Sequence, residues 1–471
     1  MADRPYVFYE LTNAICATCH RKVEAKIVIE GDRVFMHKFC PVHGRERVLI
    51  STDAAFYKQQ RAFLKPGQLV RQFNTPIQYG CPYDCGICPD HEQHGCLTIV
   101  EVTDHCNLTC PICYAESGPH RPTHRSLEQV EFMLDCVVRN EGEPDIVQIS
   151  GGEPTLHPQF FEILDAARRR PIKHLMVNTN GLRIAQDEAF AERLASYMPG
   201  FEIYLQFDSL RADALRDLRG VDLRTVRERA LERLDRLKVS TTLVVTLKKG
   251  VNDDEIGDII AFALQHSCVR GVTFQPVQVA GRTERFDPAR DRLTLSEVRQ
   301  AILRQTPWLK PQDILPVPCH PDCLAMAYAL RLGGEVIPLT GLIDPEFLLN
   351  SGGSTIIYEQ SPALREQIFK TFSTGHSPAM QAVSLKQLLC CLPLVSVPEQ
   401  FTYENVFRIL IVQFMDAHSL DIRSVKRSCV HIVHPDGRLI PFDTFNLFYR
   451  DGREAQLNVL RQQPAAVPAG G

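Results

Sequence analysis

Six cysteines fall into two runs of identical spacing within a short stretch. Cys81, Cys85 and Cys88 are spaced C-x3-C-x2-C, and so are Cys106, Cys110 and Cys113, with Cys96 between the two runs. Three thiolates on a tight loop can hold three irons of a four-iron cubane and leave the fourth iron free. A free coordination position marks a reactive metal site, whereas a closed set of four marks a structural or electron-carrying one. On this reasoning Cys106, Cys110 and Cys113 form the reactive set. Cys81, Cys85 and Cys88, closed by Cys96, form a complete auxiliary cluster. Structural zinc is the alternative for that first set, with His91 and His94 as spare polar residues or a minor ligand pair.

Other cysteines extend the pattern. Cys16-x2-Cys19 followed by Cys40-x2-His43 is a two-knuckle arrangement suited to one tetrahedral ion, zinc or a rubredoxin-like iron, and His37 is a rival to His43. The segment around it is small and weakly apolar, so a metal that stabilises the fold is the default role. Cys319-x3-Cys323 opens a further set, whose remaining ligands come from Cys390, Cys391 or Cys429. A pair of ordinary thiols is its bland alternative. Cys136 and Cys268 sit in apolar surroundings and read as small buried side chains.

The chain of 471 residues has 17 cysteines, an odd number. A cytoplasmic location is expected: the N-terminus lacks a basic start with an apolar core, and no apolar run reaches the roughly 18 to 20 residues of a membrane span. Thiols stay reduced there, which favours metal ligation over disulfides. A net charge of −4 and the lack of a basic block argue against a nucleic-acid partner or a non-catalytic nucleic-acid-binding scaffold.

These ligands need elements to hold them. Short strands and turns are expected over about residues 1–75, turning at Gly31-Asp32, followed by a cysteine-rich auxiliary-cluster segment at 76–98. From residue 97 a strand–helix rhythm begins, with strands predicted at 97–103, 145–150, 174–180, 202–208, 241–247 and 271–277. The clearest helix runs over 221–238, where Val226, Ala230, Leu234 and Leu237 share a face. Strand starts every 30 to 40 residues suit parallel strand–helix–strand units. The fold class is therefore α/β, a partial (β/α)6 TIM-type barrel over about 99–300. Residues 301–471 are expected to form a C-terminal α+β domain, with helices near 361–375 and 385–393 and a hairpin turning at Asp436-Gly437.

The second cysteine run follows directly on the first barrel strand, and there the chain resembles the radical S-adenosylmethionine (SAM) enzymes. Their signature is this C-x3-C-x2-C loop; they usually carry an aromatic just before the third cysteine, where this chain has Ile112, with Tyr114 just after. The resemblance implies that Cys106, Cys110 and Cys113 carry a [4Fe-4S] cluster whose open iron chelates SAM. It implies reductive cleavage to a 5′-deoxyadenosyl radical that takes hydrogen from an unactivated sp3 carbon. It places Gly151, Gly152 and Glu153 at the methionine amino group. Asn178, Thr179, Asn180, Gln206 and Asp208, at the ends of the next strands, offer hydroxyl- and ribose-binding groups, and Gln275 and Val277 line the adenine.

Over nearly its whole length the layout resembles the tetraether lipid synthase-like subgroup. The matching pieces are the N-terminal knuckles, residues 81–117, "PVPCHPDC" and the terminal "SCVHIVHPDGRLIPFDTFNLFYR". That resemblance implies one or two auxiliary clusters, a mononuclear iron or zinc, and coupling of lipid hydrocarbon chains. It also implies a low-potential donor, ferredoxin or flavodoxin, and allows transient membrane contact. The apolar runs 336–350 and 406–415 could then line a lipid tunnel, or simply be core. The enzymatic alternative is methylation or C–C bond formation on a small molecule such as a pterin.

Overall fold

The computed structural model describes residues 4–332, 334–342, 405–450 and 452–462. The helices expected near 361–375 and 385–393, and the ligand candidates Cys390 and Cys391, lie outside the described residues.

The N-terminal segment forms a four-stranded antiparallel meander of β1 (Val7–Ile15), β2 (Lys22–Glu30), β3 (Arg33–Cys40) and β4 (Gly44–Ser51), followed by a helix at Ala54–Ala62. The turn joining β2 to β3 falls at Gly31 as expected, where φ is +60°. The meander is fastened to the rest of the chain by buried cations. Lys38 Nζ donates to Ile15 O at 3.0 Å, Ala417 O at 3.1 Å and His418 O at 2.8 Å, and pairs with Glu46. Arg61 pairs with Asp322 at 2.6 Å, Glu10 at 3.1 Å and Asp421 at 3.3 Å.

The main sheet is built from β5 (Leu97–Thr103), β7 (Ile146–Gly151), β8 (His174–Thr179), β9 (Phe201–Gln206), β10 (Thr241–Leu247) and β11 (Val269–Pro276), with the two-residue β6 (Ile112–Cys113) in the loop after β5. These six strands pair in parallel in chain order, each within two residues of its expected start, and form the partial barrel. Helices pack over the outside of the sheet. In the helix at Leu127–Glu141, Val130, Met133, Leu134 and Val137 are fully buried against it. In the helix at Arg224–Arg236 the buried face is Arg227, Ala230, Leu231 and Leu234. The apolar period located that helix, but it could not reveal that an arginine occupies the inner face.

The chain beyond residue 300 joins this same sheet at both edges. Before that, a short β12 (Arg282–Thr283) pairs with β6 as a separate two-stranded sheet. Then β13 (Leu315–Pro316), β14 (Leu324–Leu332), β15 (Glu335–Pro338) and β16 (Val406–Val412) follow, with β16 parallel to β11 and antiparallel to β14. On the opposite edge β17 (Val430–Val433) runs parallel to β5 and turns back into β18 (Leu439–Pro441). The barrel is thus extended by strands that are far away in sequence. Every residue of β16 is buried, so most of the apolar run at 406–415 is core.

Candidate functional site

β5 ends at Thr103, and the chain enters the loop carrying Cys106, Cys110 and Cys113. Two clamps fix this loop. On one side Gly152 N donates to Thr103 O at 2.7 Å and Glu153 N to His105 O at 2.8 Å. A Cβ on Gly151 would stand 2.2 Å from Thr103 O, and one on Gly152 would stand 2.2 Å from His105 O. The glycine pair is needed for close approach of backbone to backbone. On the other side β12 pairs with β6, and Arg282 donates through Nε to Cys110 O at 2.6 Å and through Nη2 to Ser117 O at 2.8 Å.

The three thiols line one cavity at the C-terminal ends of the parallel strands, together with Gly151, Gly152, Glu153, Asn178, Thr179, Asn180, Gln206, Gln275 and Val277. Burial pushes the Cys106 thiol up to about 12, against the opposing N–H of Leu108. Burial also raises Cys110, with Arg219 opposing. Thiols raised in this way are ionised by a metal rather than by solvent. Glu153 is buried, which raises it, but its carboxylate accepts from Thr155 Oγ1 at 2.6 Å, Thr179 Oγ1 at 2.7 Å, Asn180 N at 2.8 Å and Thr155 N at 3.2 Å.

Asp208 is placed differently from the expectation of a ribose ligand. It is fully buried, stands behind the cavity lining, and gives its carboxylate to Arg219 Nε at 2.7 Å, Arg219 Nη2 at 2.6 Å and Arg227 Nη2 at 2.8 Å. Burial alone would raise it; the two guanidiniums hold it below the usual carboxylate range. Arg219, which does line the cavity, also donates to Gln206 Oε1 at 3.0 Å and Thr246 Oγ1 at 2.8 Å. Asp208 therefore positions Arg219, whose part in the site the sequence reading missed.

The auxiliary cysteines are also regrouped. Cys96, expected to close the first run, has its Sγ 3.8 Å from Cys319 Sγ, which stands 3.5 Å from Cys429 Sγ. The three ligand atoms lie within 4.8 Å of one another, and all three residues are buried. The reason is strand pairing: β17, starting one residue after Cys429, lies beside β5, which starts one residue after Cys96. His94 Nε2 lies 3.6 Å from Cys96 Sγ, and its Nδ1 faces Glu141 at 3.3 Å. His91 Nε2 meets His431 Nε2 at 3.1 Å and Ser428 O at 2.9 Å. Cys323 stands outside the Cys96 group; it lines a second cavity with Arg61, Asp322 and Asp421. In the first run Cys85 Sγ meets Thr444 Oγ1 at 2.9 Å. Cys136 and Cys268 are buried as expected.

In the N-terminal meander, Cys16 Sγ and Cys40 Sγ lie 3.5 and 3.6 Å from His43 Nδ1, and Cys19 Sγ lies 3.8 Å from Cys40 Sγ. The four atoms lie within 4.8 Å of one another, a Cys3His set that suits tetrahedral zinc. His37 is turned away toward Glu30 and Tyr6.

Residues 100–263 match the radical SAM superfamily. They form a radical SAM domain. Residues 8–52 match the HMPTM N-terminal zinc ribbon domain. Among curated proteins, the 7,8-dihydro-6-hydroxymethylpterin dimethyltransferase of Methanocaldococcus jannaschii is 28% identical over 95% of this chain and 95% of its own. A GTP 3′,8-cyclase of Syntrophomonas wolfei subsp. wolfei is 32% identical over 43% of this chain and 62% of its own. Among solved structures, Streptococcus suis SuiB bound to S-adenosylmethionine aligns at 18% identity over 45% of this chain and 47% of its own, with a TM-score of 0.37.

The cofactors of a radical SAM domain are a [4Fe-4S] cluster and SAM. The cavity fits them by its donor set: three loop thiols, a backbone held close by two glycines, Asn and Gln side chains at the strand ends, and the Glu153 carboxylate held by Thr179 and Asn180. Among the described residues no helix is long and apolar enough to cross a membrane. Sequence reasoning missed Arg219, Arg282 and the C-terminal contributors Phe414, Phe442 and Asp443, which also line the cavity or fix its loop. "GRT" at 281–283, a short way past the end of the sixth strand at Pro276, was a usable signal for Arg282. Nothing local marked the others.

Proposed function

We propose that this chain is a radical SAM enzyme that methylates a reduced pterin or a close relative of it. The observation that carries the reading is the end-to-end match to a pterin dimethyltransferase, which spans ribbon, barrel and C-terminal strands alike. In this reading Cys106, Cys110 and Cys113 hold the cluster, and Glu153 with the Gly151-Gly152 backbone receives the methionine end of SAM. The bound cofactors supply a hydrogen-abstracting radical. The protein's own contributions are positional: the two loop clamps hold the thiols, Arg219 stiffens the wall formed by Gln206 and Thr246, and burial shields the cavity from water.

Much of the cavity wall is apolar, with Leu97, Ile99, Phe414, Met415 and Phe442, but its buried polar groups favour a flat substrate that carries hydrogen-bonding groups over a bare hydrocarbon. Gln148, Gln275, Gln278, Asp443 and Asn446 line it, and Gln148 Oε1 and Gln278 Oε1 are buried with no partner among the described residues. A lipid tail entering there would leave these groups unmatched, at about 1–3 kcal/mol each. The run at 406–412, one of the two stretches offered for a lipid tunnel, is buried strand β16.

The test is anaerobic incubation of the reconstituted enzyme with reductant, SAM and reduced 6-hydroxymethylpterin, with dioleoyl phospholipid in a parallel reaction. Pterin-dependent formation of 5′-deoxyadenosine supports the reading. Formation stimulated by phospholipid alone would overturn it.

A further inference from the structure

Two carboxyls line the cavity, Glu153 and Asp443. Glu153 accepts from the four donors described above, three on Oε1 and one on Oε2, which leaves Oε2 a lone pair for the methionine ammonium. Asp443 has fewer donors. It is 2% exposed, its Oδ1 accepts from Met415 N at 2.5 Å, and no cation among the described residues pairs with it. Burial, with the like charge of Asp416 already committed to Arg292, pushes its carboxyl up to about 7, and the Cys323 thiol is electrostatically coupled to it as well. A buried carboxyl with spare lone pairs and no cation avoids the cost of a bare charge by holding a proton, and it becomes a strong acceptor once a ligand brings donors to it.

Its neighbourhood narrows the kind of ligand. The ring of Phe442 stacks on Phe414, with centroids 3.8 Å apart and planes 24° apart, and meets Tyr114 at 5.0 Å. Tyr114 directly follows Cys113, so this aromatic wall adjoins the reactive loop. Of the unmatched polar atoms in the lining, Gln148 Oε1 and Gln278 Oε1 are acceptors, Ser117 Oγ can act either way, and Arg227 Nη1, on the guanidinium paired with Asp208, is a donor. Aromatic faces combined with surplus acceptors suit a flat ring system rich in N–H. A phosphate or carboxylate ligand would set negative charge against Asp443, and a hydrocarbon would leave it bare.

We propose that Asp443 is a specificity-determining residue, whose carboxyl receives the paired N–H donors of a 2-amino-4-oxopyrimidine edge. This deepens the pterin reading and rests on it. The amino group and the adjacent ring N–H present two parallel donors, which a carboxylate matches in the bidentate manner it uses with guanidinium.

The test compares each enzyme's preference between reduced 6-hydroxymethylpterin and its 2-oxo counterpart, the reduced 6-hydroxymethyl-lumazine, using the reconstituted full chain. The lumazine sets an oxygen against the carboxyl where the pterin has an amino group. The wild type is expected to favour the pterin in kcat/KM by about 100-fold or more. Asp443→Asn is expected to reduce that ratio at least tenfold, and Asp443→Glu, which keeps the carboxyl, to retain a preference. A ratio within one enzyme is insensitive to partial misfolding or incomplete cluster loading. If Asp443→Asn keeps the full preference, the inference is wrong while the pterin reading stands. If the wild type neither binds nor reacts with either ring, the pterin reading itself fails. Should Asp443→Asn not load clusters, equal preference for the two rings by Asp443→Glu overturns the inference.

Discussion

Cys96 and Cys319, 223 positions apart, place their sulfurs 3.8 Å from each other, with Cys429 completing the group. The cysteine that spacing assigns to the first run is thereby taken by a different set. Cys96→Ala should therefore lower metal content by the same amount as Cys319→Ala or Cys429→Ala, and the double variant Cys96→Ala/Cys429→Ala should lose no more than either single one. Metal and sulfide analysis of anaerobically reconstituted protein checks this. Additive losses would return Cys96 to Cys81, Cys85 and Cys88.

Asp208 holds Arg219 against the wall of the SAM cavity without lining it. Asp208→Asn leaves the shape but removes the charge that fixes two guanidiniums. The expected result is a fall in SAM cleavage of about 10- to 100-fold, the usual cost of losing a partner that orients a site residue. Iron content should be unchanged. Single-turnover measurement of 5′-deoxyadenosine reports it, and wild-type rates would show that Asp208 serves only the fold.

Gly152 leaves no room for a side chain, because a Cβ would meet His105 O at 2.2 Å. Gly152→Ala must push away the segment that leads into Cys106. Loss of the characteristic visible absorption of the SAM-binding cluster is expected, with the zinc of the ribbon retained. Gly31→Ala is the contrasting case: its φ of +60° strains an alanine, but no atom lies within 4 Å of the added methyl, so the SAM-binding cluster should stay loaded. Full cluster content in Gly152→Ala would show that the clamp is dispensable.

Glu202 joins four strands of the sheet: it meets His174 at 3.1 Å, Arg408 at 3.5 Å and the hydroxyl of Thr242. Burial would raise it, but these partners outweigh burial and bring it down to about 2 from 4.5. A depressed carboxyl contributes stability above its unfolded value that is lost as pH falls. The gap in unfolding free energy, from urea titration, between wild type and Glu202→Gln should be full at pH 7, at about 3 kcal/mol. It should narrow as pH drops from about 4.5 toward 2. A pH-independent gap would mean that the interaction is steric.

The parallel strands were legible because each is a short apolar run bounded by turn residues, and parallel strands buried on both faces leave little ambiguity. The cysteine loop and the strand-end residues from Gly151 to Gln206 were legible for the same reason: they lie next to those runs in the chain. What escaped depends on pairing across long sequence distances. Cys96 meets Cys319 and Cys429 only because β17 docks beside β5, and Phe442 and Asp443 reach the cavity from the same excursion. Asp208 misled because an acid at a strand end looks like a ligand until Arg219 and Arg227, 11 and 19 positions on, are seen to hold it. Arg227 itself was masked by the apolar stripe of its helix, which carries no sign that a cation points inward.

The most direct measurement uses a reduced 6-hydroxymethylpterin deuterated at its ring and hydroxymethyl carbons, supplied with SAM and reductant to the reconstituted enzyme. Deuterium appearing in 5′-deoxyadenosine, and its absence when Cys110→Ala replaces the wild type, is the expected outcome. 5′-Deoxyadenosine that stays unlabelled with the pterin, while a deuterated phospholipid passes its label on, would contradict the proposed substrate. If no 5′-deoxyadenosine forms under any of these conditions, radical chemistry at Cys106, Cys110 and Cys113 is itself ruled out.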